Sequence, residues 1–502
     1  MSIIYRIVFA MLCLSLLNIG TSQVSYEQSY EYDYFGKLNS TKNFIYTNNG
    51  INKEFAKSQL KLYSHSGKFI NEITLEGKTS PEVQYAGTAG DVTIFALDRE
   101  TYLFVDASGN EIDSKTFEGA DKVKNEEMLF TKDGFVVVQQ VKVKKVGVGL
   151  RVRKFTPDGN EEWLYENFPE KGKYNFLTCH ASANGNISIL HSKGGMTYDK
   201  GLIVLSGSGE ELRADDLKIE DPNFSPSQFK ESPDGTLHLI AYRYKDTSAS
   251  AVTAGLEVPH AMVILQFDSS TGEQKKVTTL DYVEFQSYFG YKRPDGTPVY
   301  TQNAPVLEIL DIITYQGKNY FVAESFLVGM KSESIPSTTS GVPPTTVNYN
   351  AFNFLDYYLI ECESPKSNAI RIWKPERSIL IERSTFYTAE SQSRKLLLDN
   401  DMFSYQGFEN GKIISRGFSQ MHHYFTTIDL GTKMESVEGR TFWSLPLNAE
   451  LNSYPLRVKY GVSTSLFSKY FSNEGILSAG DNYLLYSYDY RTNQLAFSTL
   501  NF

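Results

Sequence analysis

Short apolar and β-branched runs recur along this chain, divided by small polar clusters that end in glycine. DVTIFAL (91–97), TYLFVDAS (101–108), FVVVQQVKV (135–143), LRVRKF (150–155), NISILHS (186–192), GLIVLSGS (201–208), TLHLIAYRY (236–244) and AMVILQF (261–267) are such runs. Their length and β-branched content predict strands bounded by turns. Two glycine series punctuate them. Gly50, Gly90, Gly134, Gly185, Gly235, Gly317, Gly411 and Gly480 form the first, and Gly67, Gly109, Gly159, Gly209 and Gly272 interleave as the second. Tight hairpins need residues at positive φ, so the pattern reads as one four-stranded meander, A-B-C-D, used repeatedly, with glycine in the A–B and C–D turns. No helical periodicity is sustained over 12 residues or more.

Repeated four-stranded antiparallel units without helices between them predict an all-β chain, a single β-propeller of eight blades, with seven as the alternative. The last unit is short. The Tyr/acid segment within 24–35 is expected to supply its outer strand and close the ring, which would remove an exposed sheet edge. The domain then covers 23–502. Successive turns of a meander alternate between two ends of the sheet. The glycine turns share one end, and the long segments share the other: 192–200, 246–260 and 326–355 between B and C, and 281–310, 373–400 and 437–470 between D and A. The Ser/Thr/Pro-rich stretch 331–350 reads as a mobile loop. Long loops on a rigid scaffold are where binding groups usually reside.

Composition adds an address. Arg6 followed by the apolar run Ile7–Ile19 and the small residues Gly20-Thr21-Ser22 reads as a cleaved signal peptide, residues 1–22, too short to cross a bilayer. Leu12 before Cys13 departs from a lipoprotein signal. A secreted or periplasmic, monomeric protein with no membrane span is the expectation. The net charge of −10 argues against nucleic-acid binding, which needs a basic footprint. Cys179 and Cys362 fall in different repeats and read as two buried free thiols.

Motifs for chemistry are weak. Gly77-Lys78-Thr79 has Glu72 where a phosphate loop needs its first glycine, and Gly147-Val148-Gly149 opens a strand rather than a helix. Gly417-Phe418-Ser419-Gln420-Met421 lacks the second glycine of a nucleophile elbow. His422 and His423 are adjacent, so on a strand they face opposite ways and cannot share one ion. No cofactor, metal site or catalytic residue is predicted. Carboxylate pairs suited to glycoside hydrolysis are conceivable among Asp199, Asp281, Glu284, Asp311 and Glu382, but no spacing selects one pair.

Two features suit recognition. Aromatic and arginine residues gather in the long connections: Tyr282, Phe285, Tyr288, Phe289, Tyr291 and Arg293, then Arg371, Trp373 and Arg377, then Arg440 and Trp443. Trp, Tyr and Arg are common interface anchors, and flat aromatics stack on sugars. The stretch 141–154 is the densest basic patch, a hairpin showing Lys142, Lys144, Lys145, Arg151, Arg153 and Lys154. It suits an acidic polymer or partner, or else charge that guards an exposed hairpin.

Several turns resemble known propellers. TPDGNEEW (156–163) resembles the glycosidase Asp-box but is one residue short between Asp158 and Trp163. With FDSSTGEQ (267–274) it also resembles the turn of quinoprotein-type propellers, in which a Trp docks on the next blade; only the first turn carries that Trp, so quinone chemistry is not implied. More broadly, the leader, the Asp-Gly turns and ILDIITYQGKNYFVAESF (309–326) resemble secreted bacterial β-propeller-like repeat proteins, which implies a fold and no activity. The expected function is a non-catalytic extracytoplasmic propeller binding a protein or glycan partner through its long-loop face. The alternative is a carbohydrate-active enzyme with paired carboxylates at the funnel.

Overall fold

A computed structural model describes residues 28–31, 38–49, 57–76, 83–97, 101–117, 122–170, 172–194, 200–219, 224–244, 258–290, 304–335, 345–372 and 377–382. Between 405 and 500 it describes the segments 405–409, 412–419, 422–429, 434–437, 440–445, 450–454, 474–479, 482–489 and 494–500. The proposed signal peptide, the 192–200 loop beyond Gly194 and the connection 246–257 lie outside the described residues, as do Gly50, Gly411 and Gly480.

The described strands form eight sheets, seven of them four-stranded, and six of those seven are antiparallel throughout. This is the blade unit of the β-propeller class. Strand character follows position in the blade. Gly134–Val143 and Ile187–Lys193 are central strands buried almost along their whole length. The outer strands Glu111–Thr116 and Glu211–Asp216 are largely exposed and rich in charge. Central strands packed on both faces need continuous apolar runs, whereas charged outer strands resist pairing with other chains.

Two compact units are distinguished. The first comprises Met1–Phe117, Arg416–Thr426 and Leu451–Phe502; the second, Glu118–Ser415 and Thr427–Glu450. In the first unit, sheet 38–76 packs on sheet 84–116 through Leu60, Leu62, Phe95 and Leu103. Its other face meets the C-terminal sheet through Tyr63, Leu484 and Phe497. Strand Gln28–Glu31 pairs with Gln494–Leu500 and supplies the fourth strand of that C-terminal sheet.

In the second unit, the sheets within 122–167, 174–216 and 225–281 stack face to face. Val136, Val138, Leu150 and Val152 of the first meet Phe176, Ile189 and Ile203 of the second. Leu190, Leu202 and Val204 of the second meet Phe229, Leu239 and Leu265 of the third. The largest core joins the third sheet to a sheet of seven strands built around Val306–Glu361.

Among the described residues, one helix interrupts the meander where the sequence reads as loop. Tyr282–Phe289 is capped by Asp281, whose carboxylate accepts the Glu284 amide at 2.9 Å. It buries Tyr282, Phe285, Gln286 and Phe289. At eight residues it is too short to announce itself by periodicity.

Candidate recognition surface

The glycine-turn end is committed to holding sheets together. Each glycine of the second series has positive φ, as do Gly90, Gly134, Gly185, Gly235 and Gly317. The fourth residue after several C–D glycines reaches the next sheet's turn. Asn71 donates to the Gly109 carbonyl (2.9 Å), Trp163 to Gly207 (3.0 Å) and Lys276 to Glu363 (2.8 Å). Asn186 likewise donates to the carbonyls of Ser269 and Ser270. A shallow cleft of about 440 Å³ lies at this end between Ala183, Asn184, Glu231, Asp234 and Ser270. Its acids are engaged: Glu231 accepts the Ala183 amide at 2.7 Å, and Asp234 accepts the Ser232 hydroxyl at 2.6 Å. Partial burial raises the Asp234 carboxyl, but hydrogen bonds from Ser232 and Thr236 outweigh it, so the group sits below its usual range.

At the opposite end, the seven-stranded sheet departs from the blade pattern. Its A strand is Val306–Tyr315, its B strand Lys318–Ile335, its C strand Thr345–Glu361 and its D strand Asn368–Ile372. The B and C strands are 18 and 17 residues long. A pairs with B only as far as Val306 and Phe326. Beyond that point B and C run on together, from Leu327 opposite Asn353 to Ile335 opposite Thr345. Strand Arg377–Glu382 adds to the outer part of C, from Phe354 to Tyr349. The result is a three-stranded arm continuing the blade at its B–C end. The reading of 331–350 as a mobile loop is corrected for 331–335 and 345–350, which are paired strand. Thr345-Thr346-Val347 and Tyr349 are good strand formers once a partner strand is present, a tertiary effect that Ser/Thr/Pro composition conceals.

The predicted anchors fall in different environments. Arg371 is corrected from a surface anchor to an internal residue, 3% exposed. Its Nε donates to Asp356 Oδ2 at 2.8 Å, and its Nη1 to the Gly290 carbonyl, just past the helix, at 3.1 Å. Tyr288 is half-buried on the helix, its ring 6.3 Å from that of Phe289. Tyr291, Arg293 and Trp373 lie outside the described residues. Arg377 lies on the arm strand that pairs with C, not on a free connection. Arg440 and Trp443 also lie on a strand, Arg440–Leu445, which pairs in parallel with the D strand Asn368–Ile372. Parallel pairing between segments so far apart in sequence has no local signature.

The basic hairpin divides in two. Arg151 meets Glu166 at 2.7 Å and Arg153 meets Glu161 at 2.6 Å, both on the neighbouring outer strand. Lys154 is buried and contacts Asp133 and Glu162 at 2.7 and 3.3 Å. These three serve the sheet internally. Lys142, Lys144 and Lys145 lie exposed at the B–C turn.

Among the described side chains, the candidate acids Asp281, Glu284 and Asp311 do not assemble into an open pair. Asp281 caps the helix, Asp311 accepts the Tyr405 hydroxyl at 2.8 Å, and Glu284 sits in the helix's first turn. Asp199 lies outside the described residues, and the Glu382 side chain is not described. Glu308 and Glu324, which sequence reading missed, are direct cross-strand partners but only 7% and 1% exposed. Burial closes that pair to a sugar ring. Cys179 and Cys362 are buried and free, with burial pushing both thiols up. Among the described residues, no three His, Cys, Asp or Glu side chains gather as metal ligands, and no helix is long and apolar enough to cross a membrane.

No family model and no curated protein matches the chain. Solved structures do. The dihydro-heme d1 dehydrogenase NirN is 10% identical over 96% of this chain and 80% of its own, with a TM-score of 0.43. BamB from Moraxella catarrhalis is 10% identical over 95% of this chain and all of its own, with a TM-score of 0.33. The β-propeller domain of Cps50 (Swd1) from Myceliophteria thermophila is 9% identical over 95% and 100%, with a TM-score of 0.30. These are likenesses of fold. No residue role passes from them to this chain.

Proposed function

We propose that this protein is a non-catalytic binding or scaffold propeller, exported from the cytoplasm by residues 1–22, that engages a protein partner through the B–C end of its blades. The observation that carries this reading is the three-stranded arm. A blade needs no 18-residue strand to pack against its neighbours, and the paired backbone beyond Phe326 contributes nothing to the A strand. A strand-built extension is stiffer than a loop and presents a fixed surface, which lowers the ordering cost of association. The glycine-turn end supports the same reading by its engagement in inter-sheet hydrogen bonds.

The test shortens the arm to the part that Arg377–Glu382 covers. A chain in which 331–348 is replaced by a two-residue turn is compared with the intact chain in quantitative capture from the native envelope. Loss of one specific partner with an unchanged unfolding midpoint is expected. An identical set of captured proteins would contradict the reading.

A further inference from the structure

The basic tip of sheet 122–167 is the surface that the packing leaves unexplained. Six lysines are exposed at its B–C end: Lys122 and Lys124 on the A strand, Lys142 at the end of B, Lys144 and Lys145 in the turn, and Lys173 just after the sheet. Pairing brings them together. Lys122 lies directly opposite Lys142, Lys142 is opposite Val148, and Val148 forms a bridge with Lys173. Like charges opposed across strands are destabilising, so the sheet maintains this cluster against its own stability.

Edge protection accounts at most for Lys122 and Lys124, on the terminal strand of the sheet. Lys142 is on a central strand paired on both sides, and Lys144 and Lys145 are in a turn, where no edge needs guarding. Nor, among the described residues, is the cluster neutralised as the rest of the hairpin is. Glu166 and Glu161 are taken by Arg151 and Arg153, while Glu126 accepts the Gln139 amide at 2.5 Å. Glu170 is the exposed carboxylate of the adjoining loop.

We propose that this tip docks an acidic polypeptide segment of a partner protein. Charge complementarity sets the sign: a local excess of lysine on a chain of net charge −10 attracts anions to this tip. The apolar side chains choose the class. Val146 is 57% exposed at the turn between Lys145 and Gly147, and Val123 is 40% exposed between Lys122 and Lys124. Isolated valines among lysines suit a peptide that interleaves carboxylates with aliphatic side chains. A uronate polymer would call for aromatic platforms, and no aromatic residue occurs in 122–125 or 142–148. Lysine rather than arginine at every position fits a non-directional charge array rather than bidentate recognition.

The tip and the arm are separate surfaces, so either reading can fail alone. Fluorescence anisotropy on the mature full-length chain tests the tip with a labelled 20-residue peptide of mixed Glu and Val. Polygalacturonate and phosphatidylglycerol vesicles serve as rival probes. Saturable peptide binding is expected to weaken at least tenfold in Lys142→Glu/Lys144→Glu/Lys145→Glu and about threefold in Val146→Ser. It should also weaken at least tenfold between 50 and 300 mM salt. The single variants Lys142→Glu and Lys144→Glu carry the test if the triple variant misfolds, and Arg151→Gln/Glu166→Gln should bind as the parent does. Peptide binding indifferent to charge reversal, absence of peptide binding, or preference for polygalacturonate or vesicles would each overturn the proposal.

Discussion

The indole of Trp163 donates to the carbonyl of Gly207 at 3.0 Å and lies against Gly209, where a Cβ would stand 2.7 Å from the ring. One sheet is thereby latched to the turn of the next. Gly209 is needed twice, for its φ of +86° and for the ring that fills its empty side. Gly185 has a similar φ of +88° but nothing within 4 Å. Gly209→Ala should therefore destabilise more than Gly185→Ala, by about 1–3 kcal/mol, the usual cost of overpacking. Urea unfolding of the two variants measures the difference.

Trp163→Ala should cost about 2–4 kcal/mol, somewhat less than a fully buried aromatic because the ring is half-buried. In a double-mutant cycle with Gly209→Ala the losses should be less than additive, since the first change removes the ring that the new methyl would strike. Additive losses would show that the latch is not a unit.

Arg371 and Asp356 form an ion pair shielded from water, with side-chain exposures of 4% and 2%. Arg371→Met should cost about 3–5 kcal/mol, because it strands a buried carboxylate. Arg371→Met/Asp356→Leu should recover much of that loss. The comparison is made by chemical denaturation, and a double variant as unstable as the single one would contradict it.

Acid should weaken the fold well above the carboxylate range. Burial holds His191 and His238 near pKa 4, with Lys193 adding to the effect at His191. His180 is lowered by burial too, against the opposing pull of Glu231. Unfolded, these imidazoles titrate near 6.5, so the unfolded chain takes up protons that the fold excludes. Stability is therefore full above about pH 6.5 and falls as pH drops toward 4. The loss is roughly 2 kcal/mol each for His191 and His238 between pH 7 and 5. Urea midpoints across this range check the slope, which His191→Gln and His238→Gln should each reduce.

Much of the blade was legible in sequence because glycine is the residue that tolerates the turn conformation, and Gly67, Gly109, Gly159, Gly209 and Gly272 all adopt it. Gln28–Glu31 pairs with Gln494–Leu500 as the fourth strand of the C-terminal sheet, a contact between the two ends of the sequence. Arg371 was misplaced because its partner is 15 residues away on the adjacent strand, and no local pattern marks such a pair. The arm was hidden by composition: Ser and Thr read as loop until a facing strand makes them β. The division of the basic stretch was equally invisible, since Glu161 and Glu166 neutralise Arg153 and Arg151 only once the outer strand is in register.

The sidedness of the second unit is tested most directly by site-specific photo-crosslinking in the native envelope. A photoreactive residue is placed at Ser332 or Ser334 on the arm, and at Asn184, Ser208 or Ser270 on the glycine turns. The arm positions should yield discrete crosslinked adducts with one partner protein, and the turn positions none. Adducts from the glycine turns and none from the arm would contradict the account.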